Sequence, residues 1–268
     1  MMKAVRRLLF IIVVAAVIAA ALYGCATVPE TGRSQLLLVD PGQVAQMSLT
    51  EFDKIKKSTP ISHDPEQNAL VKRVGLRIAA VAPVPNAKWE FVVFDKPDVL
   101  NAFALPGGKV GVYSGIFKIT QDDAGLATVL AHEVGHVVAR HGAERVSEGL
   151  LLQLGGMVLA EATKSRPEAT QQVIQSAYGL GANVGIMLPH SRQQELEADH
   201  LGLIYMARAG YDPHEAVAFW KRFKAYNDAH GGSRPPEFLS THPVDERRIA
   251  QLEELMPEAA AEYSKARR

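Results

Sequence analysis

The chain has 268 residues, with 29 lysines and arginines set against 29 aspartates and glutamates, and 47% of its residues are hydrophobic. That length and apolar content suffice for one globular domain with a substantial core, and the balanced charge argues against a nucleic-acid partner. Cys25 is the only cysteine, which excludes an internal disulfide.

The first 25 residues stand apart. Lys3, Arg6 and Arg7 precede residues 8–22, fifteen positions without a charge, a proline or a glycine, which is a secretory signal layout. The run is shorter than the about 18 apolar residues of a membrane span, an uncleaved anchor being the alternative. Leu22-Tyr23-Gly24-Cys25 resembles a bacterial lipobox, where cleavage before the cysteine leaves it as the lipid-bearing N-terminus; Tyr23 is an unusual occupant of its position. The expected division is a lipoprotein signal peptide over 1–24, a lipidated N-terminus and linker over 25–40, and a folded domain over 41–268. Ala26 after Cys25, in place of an aspartate, points to the outer membrane, with the protein facing the periplasm.

After the polar turn Thr31-Gly32-Arg33-Ser34, residues 35–39 read as a short strand. Asp40-Pro41 and Asp64-Pro65 each set an N-cap before a proline suited to the first helical position. Val44, Met47, Phe52 and Ile55 give the first helix its apolar stripe; Leu70, Val71, Val74, Ile78 and Val81 give the second, which stops at Pro83 and Pro85. Residues 89–94 are aromatic and β-branched, hence a strand, and residues 101–114 form a hairpin turning at Pro106-Gly107-Gly108. A buried helix begins after Asp122-Asp123 and runs through Leu126, Val129, Leu130 and Val137 to about Arg140.

Residues 144–178 are helical, interrupted near Pro167, with no stretch long enough to cross a bilayer. Residues 179–189 carry three glycines among apolar positions and read as a mobile lid or a plain interhelical loop. One helix follows over 191–208, closed by Gly210, and another from Asp212-Pro213 with Phe219, Trp220 and Phe223. Residues 231–241 read as loop, Pro243 opens a helix through Ile249 and Leu252, and Pro257 opens the last. The fold class is α+β, predominantly helical, with an active-site helix and a small sheet.

The chemistry centres on His132-Glu133-Val134-Gly135-His136, an H-E-x-x-H pattern. Positions i and i+4 lie about 40° apart on one helix face, so His132 and His136 can aim two imidazoles at one metal ion. Glu133 sits beside them, where a carboxylate can take a proton from water at the metal and later give it to a leaving amine. A catalytic zinc takes three protein ligands and keeps one open position. The extended form H-E-x-x-H-x-x-G-x-x-H fails, since Ala139 and Gly142 stand where its glycine and histidine belong and His141 misses by one. Glu161, the nearest carboxylate at short spacing, lacks a partner. Glu195 and Asp199 lie four apart on one face, with Glu197 almost opposite Asp199, so Glu195 can bind the metal while Asp199 orients a ligand histidine.

With these residues the sequence resembles the gluzincin family of HtpX-like, Oma-like and CAAX-prenyl-protease-like metallopeptidases, especially its bacterial lipoprotein branch. The downstream pattern S-R-x-x-E-x-E-A-D is met by Ser191-Arg192-Gln193-Gln194-Glu195-Leu196-Glu197-Ala198-Asp199. Asn101-Ala102-Phe103-Ala104 and Thr241-His242-Pro243 with Arg248 match as well, and together the segments span most of residues 31–255. The resemblance implies a zinc metalloendopeptidase over 41–268, with one Zn2+ per chain held by His132, His136 and Glu195, supported by Asp199, and Glu133 as the base. It puts Asn101, Ala102 and Phe103 against the substrate. It sets His242 beside the zinc, either steadying the tetrahedral intermediate or filling the fourth zinc position in a resting form. Arg192 and Arg248 are candidate supports, and the implied substrates are damaged or misassembled envelope proteins. The rival reading is a periplasmic chaperone or assembly factor that keeps the zinc fold with little proteolysis. His63, His190, His200, His214 and His230 read as ordinary.

Overall fold

The computed structural model describes residues 24–182, 187–230 and 237–267; the signal segment with Tyr23, and parts of the 179–189 and 231–241 segments, lie outside them. In chain order the elements are β1 (Cys25–Thr27), β2 (Ser34–Leu36), α1 (Pro41–Ser58), α2 (Pro65–Ala79), β3 (Glu90–Phe94), β4 (Ala102–Leu105) and β5 (Lys109–Tyr113). A 3-10 turn (Ser114–Ile116) leads into α3 (Phe117–Thr120), α4 (Asp123–Val138), α5 (His141–Thr163), α6 (Glu168–Ala182), α7 (Leu188–Arg208), α8 (His214–His230), α9 (Glu237–Thr241) and α10 (Glu246–Ala266). Helices dominate, as the periodicity requires, and none of those described is long and apolar enough to cross a membrane.

Capping fixes where the helices begin. The Asp64 carboxylate accepts from the Glu66 and Gln67 amides at 2.9 and 3.1 Å, ahead of Pro65. Asp122 accepts from the Gly125 amide at 2.8 Å and starts α4. Asp245 accepts from the Arg248 amide at 3.0 Å, so α10 starts at Glu246 and Pro243 stays outside it. Pro257 does not open a new helix: α10 runs through it. Burial of Leu252 and Ala259 on either side of Pro257 offsets the lost hydrogen bond. In the 231–241 segment, the described end is the short helix α9, drawn in by Phe238, which is fully buried. The 179–189 segment is helical at both described ends, through Ala182 and from Leu188.

The fold comprises two compact units, the smaller of which joins the residues up to Pro41 with residues 143–187. In the smaller unit β1 and β2 pair antiparallel, Arg33 makes a two-pronged contact with the Glu144 carboxylate at 2.6 and 2.8 Å, and the Leu38 amide donates to the Ser147 hydroxyl at 2.9 Å. Cys25 is exposed at the start of β1.

The larger unit, residues 42–142 with 188–268, holds the motif helix. Its sheet has the order β3-β5-β4, with β3 and β5 parallel and β4 and β5 antiparallel. The β4–β5 turn uses Gly107 and Gly108, both at φ 86, a backbone conformation that favours glycine. Phe52, Phe94, Phe103 and Tyr113 pack as one aromatic cluster beside the sheet. Residues 125–138 of α4 are all buried. α4 and α7 cross at glycines: a Cβ on Gly135 would lie 2.9 Å from the Ala198 carbonyl oxygen, and one on Gly202 would lie 2.8 Å from the His132 nitrogen. That close approach brings the side chains of both helices to one point.

Candidate metal centre

α4 carries His132 and His136 one turn apart, α7 carries Glu195 and Asp199 one turn apart, and the residue after α9 is His242. One ligand atom from each of His132, His136, Glu195 and His242 lies within 4.8 Å of the others, and all four residues are buried or nearly so. His132 Nε2 is 3.2 Å from both His136 Nε2 and His242 Nδ1. Glu195 Oε2 is 3.3 Å from His132 Nε2, and Oε1 is 3.3 Å from His136 Nε2. His242 Nδ1 completes the group 3.0 Å from Glu195 Oε2.

The arrangement fits a cation. Ligands about 2.0–2.1 Å from a tetrahedral zinc lie about 3.3–3.4 Å from one another, close to the spacing of these donors. His132 Nδ1 meets Asp199 Oδ1 at 2.9 Å. With its proton there, Nε2 turns a lone pair toward a second imidazole nitrogen and a carboxylate, an arrangement that repels unless positive charge sits among them. Burial acts to lower the His132 pKa, but hydrogen bonds and charges from Asp199 and Glu195 raise it to about 9. The same charges favour a cation among these donors. His136 moves the other way, well below the ordinary histidine value, because burial outweighs the nearby Glu195. Burial opposes ionisation of Glu195, yet the charge of His136 and hydrogen bonds from His132, His136 and His242 hold its pKa well below the usual carboxylate range.

Glu133 has different surroundings. It is 4% exposed, and its Oε1 faces His242 Nε2 at 3.3 Å and accepts no hydrogen bond among the described residues. Burial pushes its pKa up and Glu195 adds to this, against the opposing charges of His242 and His132 and a hydrogen bond with the Ala104 backbone. A carboxyl group tuned upward in this way is a stronger base than an ordinary carboxylate, which suits it to take a proton and later return it.

Arg248 is a principal member of the site. Its guanidinium grips Asp199 through Nε–Oδ2 at 2.6 Å and a second contact to Oδ1 at 2.7 Å, and reaches Glu195 Oε2 at 3.2 Å. It also donates to the Pro243 carbonyl at 3.0 Å, in the turn that carries His242, and lies over Trp220. Arg192, by contrast, is exposed near the start of α7, about two turns before Asp199, and makes no contact with the cluster among the described residues.

β4 is the edge strand nearest the motif. The Asn101 and Leu105 carbonyls accept from the Tyr113 and Gly108 amides, so the alternating pattern turns the main-chain groups of Ala102 and Ala104 to the free edge. Phe103 packs its ring against Phe52, Phe94 and Tyr113. Asn101 and Ala102 are buried at 8% and 1% exposure. This segment offers an extended peptide its backbone, and the Phe103 side chain, packed in the aromatic cluster, stays half-buried.

His141 and Glu197 also belong here, and the spacing rules pass over both. His141 Nδ1 meets His136 Nδ1 at 2.8 Å, and His141 Nε2 meets Glu197 Oε2 at 3.0 Å. An i, i+5 pair does not share a helix face; the contact exists because α4 ends at Val138 and Arg140 takes φ 57, turning the chain before α5 starts. An arginine gives no warning of a left-handed turn. Glu197 does point away from Asp199, as its position on α7 requires, and His141 meets it there. His63 and His214 are exposed and His200 is half-buried, none of them in the cluster.

Known proteins match much of this chain. The family model described as Peptidase family M48 matches residues 65–256. The chain is 39% identical over 189 residues to the mitochondrial metalloendopeptidase OMA1 of Schizosaccharomyces pombe, covering 70% of this chain and 53% of that protein. It is 31% identical over 231 residues to the beta-barrel assembly-enhancing protease of Escherichia coli K12, covering 84% of this chain and 46% of that one. Human metalloendopeptidase OMA1 matches at 31% over 243 residues, with 86% and 46% covered. The chain thus spans about half the length of these relatives. With the match over residues 65–256 containing His132, Glu133, His136, Glu195 and His242, the chain belongs to peptidase family M48.

Proposed function

We propose that this protein is a zinc metalloendopeptidase of the bacterial envelope, with His132, His136 and Glu195 as zinc ligands and Glu133 as the acid–base group. The observation that carries the reading is the convergence of two imidazole nitrogens and the Glu195 carboxylate at 3.2–3.3 Å, beside a buried carboxyl group whose pKa is raised. A bound zinc supplies Lewis-acid polarisation of the scissile carbonyl and a more acidic water. Asp199 and Arg248 hold His132 in position, and the Ala102 main chain and the Ala104 carbonyl on the β4 edge take an extended peptide by strand addition, which requires no single sequence. Glu133 accepts the proton of the attacking water and delivers it to the leaving nitrogen.

His242 Nδ1 sits where a fourth ligand would, and its Nε2 faces Glu133. This supports a resting form in which His242 withholds the position that water needs, and it also favours the second reading, a chaperone or assembly factor that seldom cleaves. The Escherichia coli relative is by name a beta-barrel assembly-enhancing protease. With the signal layout, the lipobox-like Leu22-Tyr23-Gly24-Cys25 and the exposed Cys25, that supports a lipid-anchored, outer-membrane protein facing the periplasm and acting on unfolded or misassembled envelope proteins.

Cleavage of unfolded casein by the wild type and by His242→Ala, each with and without a chelator, separates the readings. Faster cleavage by His242→Ala and its loss on chelation is the expected result. No cleavage by either form supports the chaperone, and cleavage that survives chelation excludes the zinc mechanism. In parallel, Cys25→Ser should lose the acyl mass and move from the membrane to the soluble periplasmic fraction.

A further inference from the structure

The two metal-facing histidines are backed in different ways. His132 sends Nδ1 directly to Asp199 at 2.9 Å. His136 lies one helical turn farther along α4, about 6 Å along the axis, and Asp199 is already clamped by Arg248 on the His132 side. Behind His136 stands His141, Nδ1 to Nδ1 at 2.8 Å, and behind His141 stands Glu197, at 3.0 Å from Nε2. His141 is 0% exposed and Glu197 7% exposed, so neither is held in place by solvent.

Two imidazoles that meet nitrogen to nitrogen must agree on which one owns the proton, and the carboxylate decides. An ionised carboxylate only accepts, so Glu197 draws the proton of a neutral His141 to Nε2. His141 Nδ1 is then an acceptor, the shared proton belongs to His136 Nδ1, and His136 Nε2 keeps its lone pair toward His132 and Glu195. The reverse assignment fails. With the proton on His141 Nδ1, His136 would carry its own on Nε2, 3.2 Å from His132 Nε2, and would offer a metal nothing.

We infer that His141 and Glu197 are positioning residues, a carboxylate–imidazole relay that selects the tautomer and ring orientation of His136 as Asp199 does for His132. The inference rests on the assignment of His132, His136 and Glu195 as zinc ligands made under Proposed function. It gives the abrupt turn at Arg140 a purpose, since only the break between α4 and α5 lets a residue five positions after His136 reach back to it.

The test is zinc affinity of the purified protein, read by competition with a chromophoric chelator, together with the visible spectrum of the cobalt(II)-substituted form. His141→Ala and Glu197→Ala should each weaken zinc about 10–100-fold, the usual effect of removing a partner behind a ligand histidine, and shift the cobalt bands. Glu197→Gln, whose amide oxygen can still accept from His141 Nε2, should stay within about threefold of wild type. Unchanged affinity and cobalt spectrum in both alanine variants overturn the relay. Should His141→Ala fail to fold, the Glu197 pair decides: equal affinities for Glu197→Ala and Glu197→Gln overturn it. His136→Ala is the separate control, because wild-type zinc affinity there would sink the ligand assignment itself.

Discussion

Arg248 ties more of the site together than any other single side chain. It binds both Asp199 oxygens, approaches Glu195, fixes the Pro243 carbonyl next to His242 and stacks 4.3 Å from the Trp220 ring. Arg248→Ala leaves the buried Asp199 carboxylate without its counter-charge, and such a loss costs about 3–5 kcal/mol. Denaturant unfolding of the metal-free protein should show a drop of that size. Arg248→Lys should recover only part of it, because an ammonium cannot make the two-pronged contact. Asp199→Asn keeps the shape but weakens the hold on His132 Nδ1, and zinc affinity should fall about 10–100-fold in a chelator competition. The spacing of Glu195 and Asp199 on one helical face made both readable from the sequence. The reach of Arg248 was not, because nearly fifty residues separate it from Asp199 and only the α7–α10 packing brings them together.

The site depends on how closely α4 and α7 approach. Gly202 lies against the His132 nitrogen, and a backbone atom there cannot move aside for a new Cβ. Gly202→Ala should therefore push α7 and Glu195 away from the histidines, with a stability loss of about 1–3 kcal/mol from overpacking and a fall in zinc affinity. Gly149→Ala is the control: nothing lies within 4 Å of the added Cβ, and in the interior of α5 the change should raise stability by about 0.5–1 kcal/mol. Thermal unfolding of the two variants checks both signs. Helix starts were legible where an aspartate cap preceded the run, as at Asp64 and Asp122. At Pro243 and Pro257, where no aspartate stands directly before the proline, they were misread. At Pro243 the Asp245 side chain decides the start, and at Pro257 burial of Leu252 and Ala259 carries α10 past the gap in its ladder.

At the scale of the whole molecule, a mostly helical chain uses a small sheet to set one edge strand beside one buried helix. The H-E-x-x-H spacing, the Glu195–Asp199 face and the β4–β5 hairpin were all local patterns and could be read directly. The division that groups residues 143–187 with the N-terminal segment could not, because the Arg33–Glu144 and Leu38–Ser147 contacts join positions more than a hundred residues apart. If zinc binds only the folded protein, removing it should lower the melting temperature, a ligand at about a thousand times its Kd being worth about 4 kcal/mol. The most direct measurement pairs zinc content with casein cleavage for the wild type and Glu133→Gln. Both forms should hold one zinc per chain, with cleavage by Glu133→Gln lower by about 10²–10⁴-fold. Undiminished cleavage by Glu133→Gln, or no zinc in the gently purified wild type, would contradict the assignment of this site.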